Sequence, residues 1–316
     1  MKKTPLYIDT DMGVDDIVAI SMIVASNKFD IRGVSVVNGV TTTKRSIRNA
    51  QKILGALNMF CPIFIGANQA QQGSTKQFPA IDRRRAMGLS LLKNISLPPS
   101  GTNPIAEISQ LPEKITREIN PITLLCIGPL TNVSTLLACQ TAQRTIRRLY
   151  VMGGAIDCPG NVAPQFFSEY NVRLDPVAAR SVFNTQLPIV LTPMDATREV
   201  PAKIRCATSN QKSNLATFYD QLKIIKPKSV AGRIMKAILL NNQSDFLYFY
   251  DPLVAAILID RSIIRRKEMR SLSVKQTGRL IGNVISSKNA QTKTTVVFSV
   301  DAKKFYAQLI HLIREK

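Results

Sequence analysis

Asp9-Thr10-Asp11-Met12-Gly13-Val14-Asp15-Asp16 puts four carboxylates into eight residues. In front of it, Leu6-Tyr7-Ile8 reads as a short buried strand, and behind it Ile17-Val18-Ala19-Ile20 reads as a helix. Gly13 is expected to supply the sharp strand-to-helix turn between them. Four acids on one turn repel each other unless something positive sits among them. A bound cation meets that need, and all-oxygen ligation selects a hard ion such as Ca²⁺ or Mg²⁺. Local structure offers another account: Asp15 as a helix N-cap, Asp16 as a first-turn acid facing the helix dipole, and Asp9 as a turn residue. That account leaves Asp11 unexplained at the strand's carboxyl end, where open α/β sheets keep their ligands.

Outward from this stretch, apolar runs and helical patterns alternate. Ile31–Val37 reads as a strand and 44–57 as a helix, and Pro62–Ile65 is a short strand. Ile122–Ile127, Leu149–Met152 and Ile189–Leu191 are further strands, with a helix over Leu130–Ala138. The alternation predicts a mainly parallel sheet with helices on both faces. Residues 68–101 read as a long loop with a short helix at Met87–Leu92, and loops of that length are usually lids or binding loops. Residues 202–242 turn helical, and Asp251-Pro252 opens an apolar helix to Ile259. Leu272–Val274, Leu280–Ile285 and Thr295–Val300 look like shorter strands before a closing amphipathic helix, Phe305–Ile313. No internal repeat or Pro/Gly/Ser-rich linker divides the chain, so residues 1–316 are expected to form a single domain.

Composition narrows the function. The 316 residues are 45% hydrophobic, enough for a sizeable core, and no run approaches the about 18 apolar residues of a membrane span. Met1-Lys2-Lys3-Thr4-Pro5 lacks the apolar stretch of a signal peptide, so a cytoplasmic location is expected. The five cysteines show no paired spacing and read as reduced, structural thiols. The single histidine, His311, lies far from every motif, which argues against a His triad or a His-rich zinc site. The net charge of +21 is gathered partly in Arg83-Arg84-Arg85, Arg144/Arg147/Arg148 and Arg265-Arg266-Lys267. These clusters are scattered and lack interleaved aromatics, so a solvated surface is expected rather than a nucleic-acid module.

Other polar constellations follow at later junctions. Asn161, Glu169 and Asn171 lie beyond Gly153-Gly154 and mix donors with acceptors, as a polyhydroxylated ligand such as a sugar requires. A self-satisfied loop would use the same residues. Asp175 before Pro176 reads as an N-cap. Asp251 before Pro252 reads either as an N-cap or as a further carboxylate completing an oxygen shell. At Ile127-Gly128-Pro129 a bent backbone frees carbonyls that could ligate metal.

Together these pieces resemble the inosine-uridine nucleoside hydrolase family. The resemblance rests first on Asp9-Thr10-Asp11-x-Gly-x-Asp15-Asp16. It extends over Val151-Met152-Gly153-Gly154, Gly160-Asn161, Glu169-Tyr170-Asn171, Asp175-Pro176, Asp251-Pro252 and Thr277-Gly278-Arg279. It implies a doubly wound α/β fold, a bound Ca²⁺ and hydrolysis of the N-glycosidic bond of ribonucleosides. It further implies that Asp11, Asp16, the Ile127 carbonyl and Asp251 hold the calcium, with Asp11 also the general base. By the same resemblance Asp15 and Asn171 hold the ribose hydroxyls, Asn161 and Glu169 the 5′ side, and Met152 packs near the ribose. Family members are commonly dimers or tetramers, so a homo-oligomer is expected.

The departures fall on the base side. Where the family often carries a histidine that protonates the leaving base, this chain has Tyr250, the first candidate for that role, with Tyr248, Tyr170 and the Arg83–Arg85 loop as the others. Val40 stands where an asparagine would be, and Asp82-Arg83-Arg84-Arg85 replaces a His-Gly-rich segment. Altered base recognition is therefore expected. The alternative is a catalytically impaired homologue that binds nucleoside or ribose.

Overall fold

Thr4–Thr10 forms β1, and its last five residues are buried. The chain then turns through Met12 into α1, Val14–Ser26. The structure is a computed structural model that describes residues 3–71, 76–87, 103–241, 247–287 and 294–315. Next come β2 (Phe29–Val36), α2 (Thr43–Ala56), β3 (Ile63–Ile65), α3 (Ala80–Met87), β4 (Ile105–Glu107), β5 (Ile122–Cys126), β6 (Ile146–Met152) and β7 (Ile189–Thr192). The later strands are β8 (Ile264–Met269), β9 (Ser271–Val274), β10 (Val284–Ser287) and β11 (Thr294–Val300).

Nine strands make one sheet in the order β4-β3-β2-β1-β5-β6-β7-β11-β8. Every pairing is parallel except β8 with β11. All residues of β5 and β7 are buried, as central parallel strands covered on both faces must be. From β1 the chain winds first toward β4 and then returns to build outward from β5. That reversal leaves a crevice beyond the carboxyl ends of β1 and β5, where an open α/β sheet takes its ligand.

Two apolar cores flank the sheet. In one, α1 packs against the helix Tyr250–Ile259 and the closing helix Ala302–Arg314. In the other, the helices Thr131–Leu137 and Pro176–Phe183 pack together. α1 and the Tyr250–Ile259 helix are apolar nearly all round, which suits elements with no solvent face.

Several local expectations need correction. The left-handed residue of the first turn is Met12, with φ 53°, not Gly13. Gly13 is demanded by space: a Cβ there would lie 2.7 Å from Val40 Cγ1 and 2.9 Å from Asp16 Oδ2. Gly13 rather than Asp15 is the N-cap of α1, and Phe249 rather than Asp251 caps its helix. The helix of the long loop is Ala80–Met87; the expected Met87–Leu92 helix lies, beyond Met87, outside the described residues. Leu280–Ile285 is not all strand, because Gly278 and Gly282 turn the chain with positive φ and β10 begins at Val284. β9 and β10 form their own antiparallel pair apart from the main sheet. Arg265-Arg266-Lys267 belongs to β8, whose charges hid an edge strand and suit one, since they discourage edge-to-edge pairing.

Candidate active site

The crevice holds a cavity of about 400 Å³, of ligand-pocket size. Asp11, Asp15, Asp16, Ile127, Met152, Asn161, Glu169, Asn171, Tyr250 and Asp251 all line it. These ten residues thus face one space, although they are drawn from four separate junctions.

The acids are placed by backbone geometry at the ends of β1 and of two buried helices. Asp16 lies in the first turn of α1. Its carboxylate accepts from the Gly13 N–H at 3.0 Å and from the Thr10 hydroxyl. Asp11 sits under the loop that follows β2: its Oδ2 accepts from the Val40 N–H at 2.6 Å. The Asp11 carbonyl accepts from the Thr41 and Ser46 hydroxyls at 2.7 and 2.8 Å. Gly39 permits this close approach, since a Cβ there would fall 1.9 Å from Asp11 Oδ2. Asp251 arrives from the far end of the chain because its helix packs against α1. Carboxylate oxygens of Asp15, Asp16 and Asp251 lie within 4.8 Å of one another.

Burial and mutual repulsion set the protonation of this group. Desolvation and the neighbouring acids hold Asp11 and Asp251 well above the usual carboxylate range. The same causes push Asp15 up to about 7. Buried Asp9 is pushed up to about 7 by desolvation against the hydrogen bonds it accepts from Ser35 and Asn132. Such a cluster is costly as bare anions and cheap around a divalent cation. An all-carboxylate and carbonyl donor set fits a hard ion. The trio within 4.8 Å includes Asp15, to which the family resemblance gives a ribose role.

Asn171 ties the adjoining wall together, donating to the Ile127 carbonyl at 3.3 Å and the Met152 carbonyl at 3.4 Å. Glu169 caps the helix Tyr170–Leu174 and accepts from the N–H groups of Gly154, Asn171 and Val172 at 2.9, 2.8 and 3.3 Å. Burial still pushes its carboxyl upward. Asn161 accepts from the Tyr170 N–H at 3.0 Å, and its side chain also meets Tyr250. Burial, then the charge of Asp15, pushes the Tyr250 phenol far up. Asp175, read as an N-cap, does cap its helix, accepting from the Ala178 N–H at 3.0 Å.

The wall sets mixed donors and acceptors beside the acid cluster, and comparisons with known proteins supply the family. The sequence profile described as inosine-uridine preferring nucleoside hydrolase matches residues 6–307. The chain belongs to this family. Among curated relatives, the non-specific ribonucleoside hydrolase RihC of Escherichia coli is 30% identical over 198 residues, which is 62% of this chain and 63% of the relative. RihC of Shigella boydii is 31% identical over 196 residues, 62% of each chain. The chain thus matches less than two thirds of the length of these relatives. Among solved structures, the inosine-uridine preferring nucleoside hydrolase of Bacillus anthracis aligns with a TM-score of 0.78 at 21% identity, covering 98% of this chain and 99% of that one. The purine-preferring ribonucleoside hydrolase of Gardnerella vaginalis gives 0.79 at 20% identity, covering 98% and 99%. These structures share the nucleoside hydrolase α/β fold.

Sequence reasoning missed part of this family member's site. Phe78, Ala86, Arg205 and Leu247 also line the cavity. Phe78 stacks on Tyr170 with ring centroids 4.3 Å apart and planes 18° from parallel. Asp82, Arg85 and Ala86 stand at i, i+3 and i+4, so one face of α3 turns to the cavity. That spacing was available in the sequence, but only once the segment is known to be helical. Nothing local marks Arg205 or Leu247.

Proposed function

We propose that this protein hydrolyses the N-glycosidic bond of ribonucleosides with calcium bound, releasing ribose and base, with base recognition altered from that of its relatives. The observation that carries this reading is the convergence of four acids, raised by burial and mutual repulsion, on one cavity walled by ribose-compatible donors and acceptors. Asp11, Asp16, the Ile127 carbonyl and Asp251 would hold the calcium. When bound, it supplies neutralising charge, a fixed seat for vicinal hydroxyls and a more acidic water.

The chain's own residues do the rest. Asp15 and Asn171 orient the ribose hydroxyls, and Asn161 and Glu169 hold the 5′ side. Met152 packs against the sugar. Asp11 accepts the proton of the attacking water as the C1′–N bond breaks. The surrounding carboxylates stabilise the oxocarbenium-like sugar that develops. Tyr250 holds its proton tightly, so it serves better as a hydrogen-bond donor than as an acid.

Ribose release from a purine and pyrimidine panel, with calcium and with a chelator, tests the proposal. Asp11→Asn is expected to lower turnover by about 10²–10⁴-fold with the fold intact. Unchanged turnover in that variant would sink the proposal. Saturable nucleoside binding with no ribose from any substrate would instead assign a non-catalytic homologue, the reading that the missing imidazole favours.

A further inference from the structure

We infer that the Arg85 guanidinium takes up the negative charge of the departing nucleobase, so that the site selects ribosides whose bases form stable anions. Oxo-rich purines and pyrimidines with an acidic ring N–H are that class. The inference rests on the hydrolase reading above and concerns how its leaving group departs.

The argument starts from α3. Of the run Arg83-Arg84-Arg85, Arg85 lines the cavity, while Arg83 donates to Asn38 Oδ1 at 3.1 Å and Gln77 Oε1 at 3.0 Å. Just before α3, Phe78 lies flat on Tyr170 and gives the cavity a planar aromatic wall. A nucleobase stacks on such a wall, and Phe78 and Arg85 line the same cavity. No imidazole is available there: His311 is on the closing helix, exposed, 3.5 Å from Glu315. An arginine cannot donate its proton at any reachable pH, but it pairs strongly with an anion. In a cavity floored by four acids, a further anion forms only where a cation faces it. Arg85 and Arg205 are the cationic side chains among the described residues that line this cavity.

The step balances. Water adds to C1′ and its proton passes to the Asp11 carboxylate. The C1′–N bond breaks, and its electron pair stays on the base nitrogen as an anion paired with Arg85. Solvent protonates the released base, and Asp11 returns its proton to water. The sum is riboside plus water giving ribose plus base.

The test measures kcat/KM for wild type, Arg85→Met, Arg85→Lys and Asp82→Asn. The substrates are ribosides graded by the acidity of the leaving N–H, plus a nitrophenyl riboside. For wild type we expect kcat/KM to rise with leaving-group acidity. Arg85→Met should lose about 10²–10³-fold on the least acidic bases, as when an anion-stabilising donor is removed. It should lose less than about tenfold on the nitrophenyl riboside, and Arg85→Lys should recover part of the loss. Wild-type turnover confined to the nitrophenyl riboside and the most acidic bases would also support the inference. An equal loss on every substrate in Arg85→Met would mark a binding or structural role and overturn it. So would a leaving-group-dependent loss confined to Asp82→Asn, which would make the Asp82 carboxyl the proton donor. No ribose from wild type on any substrate, nitrophenyl riboside included, would overturn the hydrolase reading itself and this inference with it.

Discussion

At the scale of single residues, the position of Asp11 is over-determined. Two hydroxyls hold its carbonyl, the Val40 N–H holds its carboxylate, and Gly39 leaves the room. Gly39→Ala puts a methyl where Asp11 Oδ2 now sits, so the carboxylate must move. A displacement of about 1 Å at a reacting group can cost about 10²-fold. We therefore expect kcat/KM for ribose release to fall by about that factor while circular dichroism stays native. Undiminished activity would mean that the β2 loop does not set the position of Asp11. Asp9 has a different task. It lies behind the site, bonded to Asn132 at 2.8 Å, and Asn132 also accepts from the Ala67 N–H at 2.8 Å. The first acid of the motif thus joins β1 to the loop after β3 and to the helix after β5.

At the scale of elements, the site depends on the pairing of α1 with the Tyr250–Ile259 helix. Each brings acids in its first turn, where the helix dipole favours negative charge. Their contact is apolar: Ile17, Ile20, Leu253 and Val254 are fully buried. Leu253→Ala should cost about 2–5 kcal/mol, the range for a leucine deleted from a packed core. The melting temperature should fall, and calcium affinity should weaken with it, because Asp251 rides on that helix. Loss of stability with unaltered calcium affinity would show that the first turn holds its place without the packing behind it. α3 makes the contrasting case. It is a short, polar helix whose inward face was unreadable in isolation, because three adjacent arginines look like a solvated charge run.

At the scale of the whole molecule, stability, pH and metal are linked. Native-state carboxyls raised above the unfolded value of about 4 favour the protonated form. Their contribution to the metal-free protein is therefore intact below about pH 4 and is lost as pH rises toward their folded values, about 7 for Asp9 and Asp15. Under the proposed function calcium would act oppositely, binding the deprotonated cluster and stabilising the native state by mass action. The gap in melting temperature between calcium-loaded and chelated protein should widen as pH is raised from about 5 to 8. A gap that stays constant would argue against these acids as the metal ligands. No helix among the described residues is long and apolar enough to cross a membrane. The charge of +21 is spread over surfaces such as β8, where Arg266 lies 4.7 Å from the Phe298 ring centre.

What the sequence determined by itself was whatever short-range chemistry enforces. Buried parallel strands must be continuous apolar runs, so β1, β2, β5, β6 and β7 were legible. Acids crowded on one turn need compensation, so the N-terminal motif announced a site. Asp175 before Pro176 was legible as a cap for the same local reason. Tertiary structure decided the rest. Only packing brings Asp251 beside Asp15 and Asp16 across more than two hundred residues, and only packing made it a first-turn acid rather than a cap. Strand order decides that the loops after β1, β2, β5 and β6 open on one crevice. Phe78 and Arg205 became site residues because of where their segments dock, and within residues 82–85, which the resemblance put on the base side, docking alone selected Arg85 among the arginines. Their neighbours in sequence carry no trace of it, since facing is a property of where an element docks, not of the residues it contains.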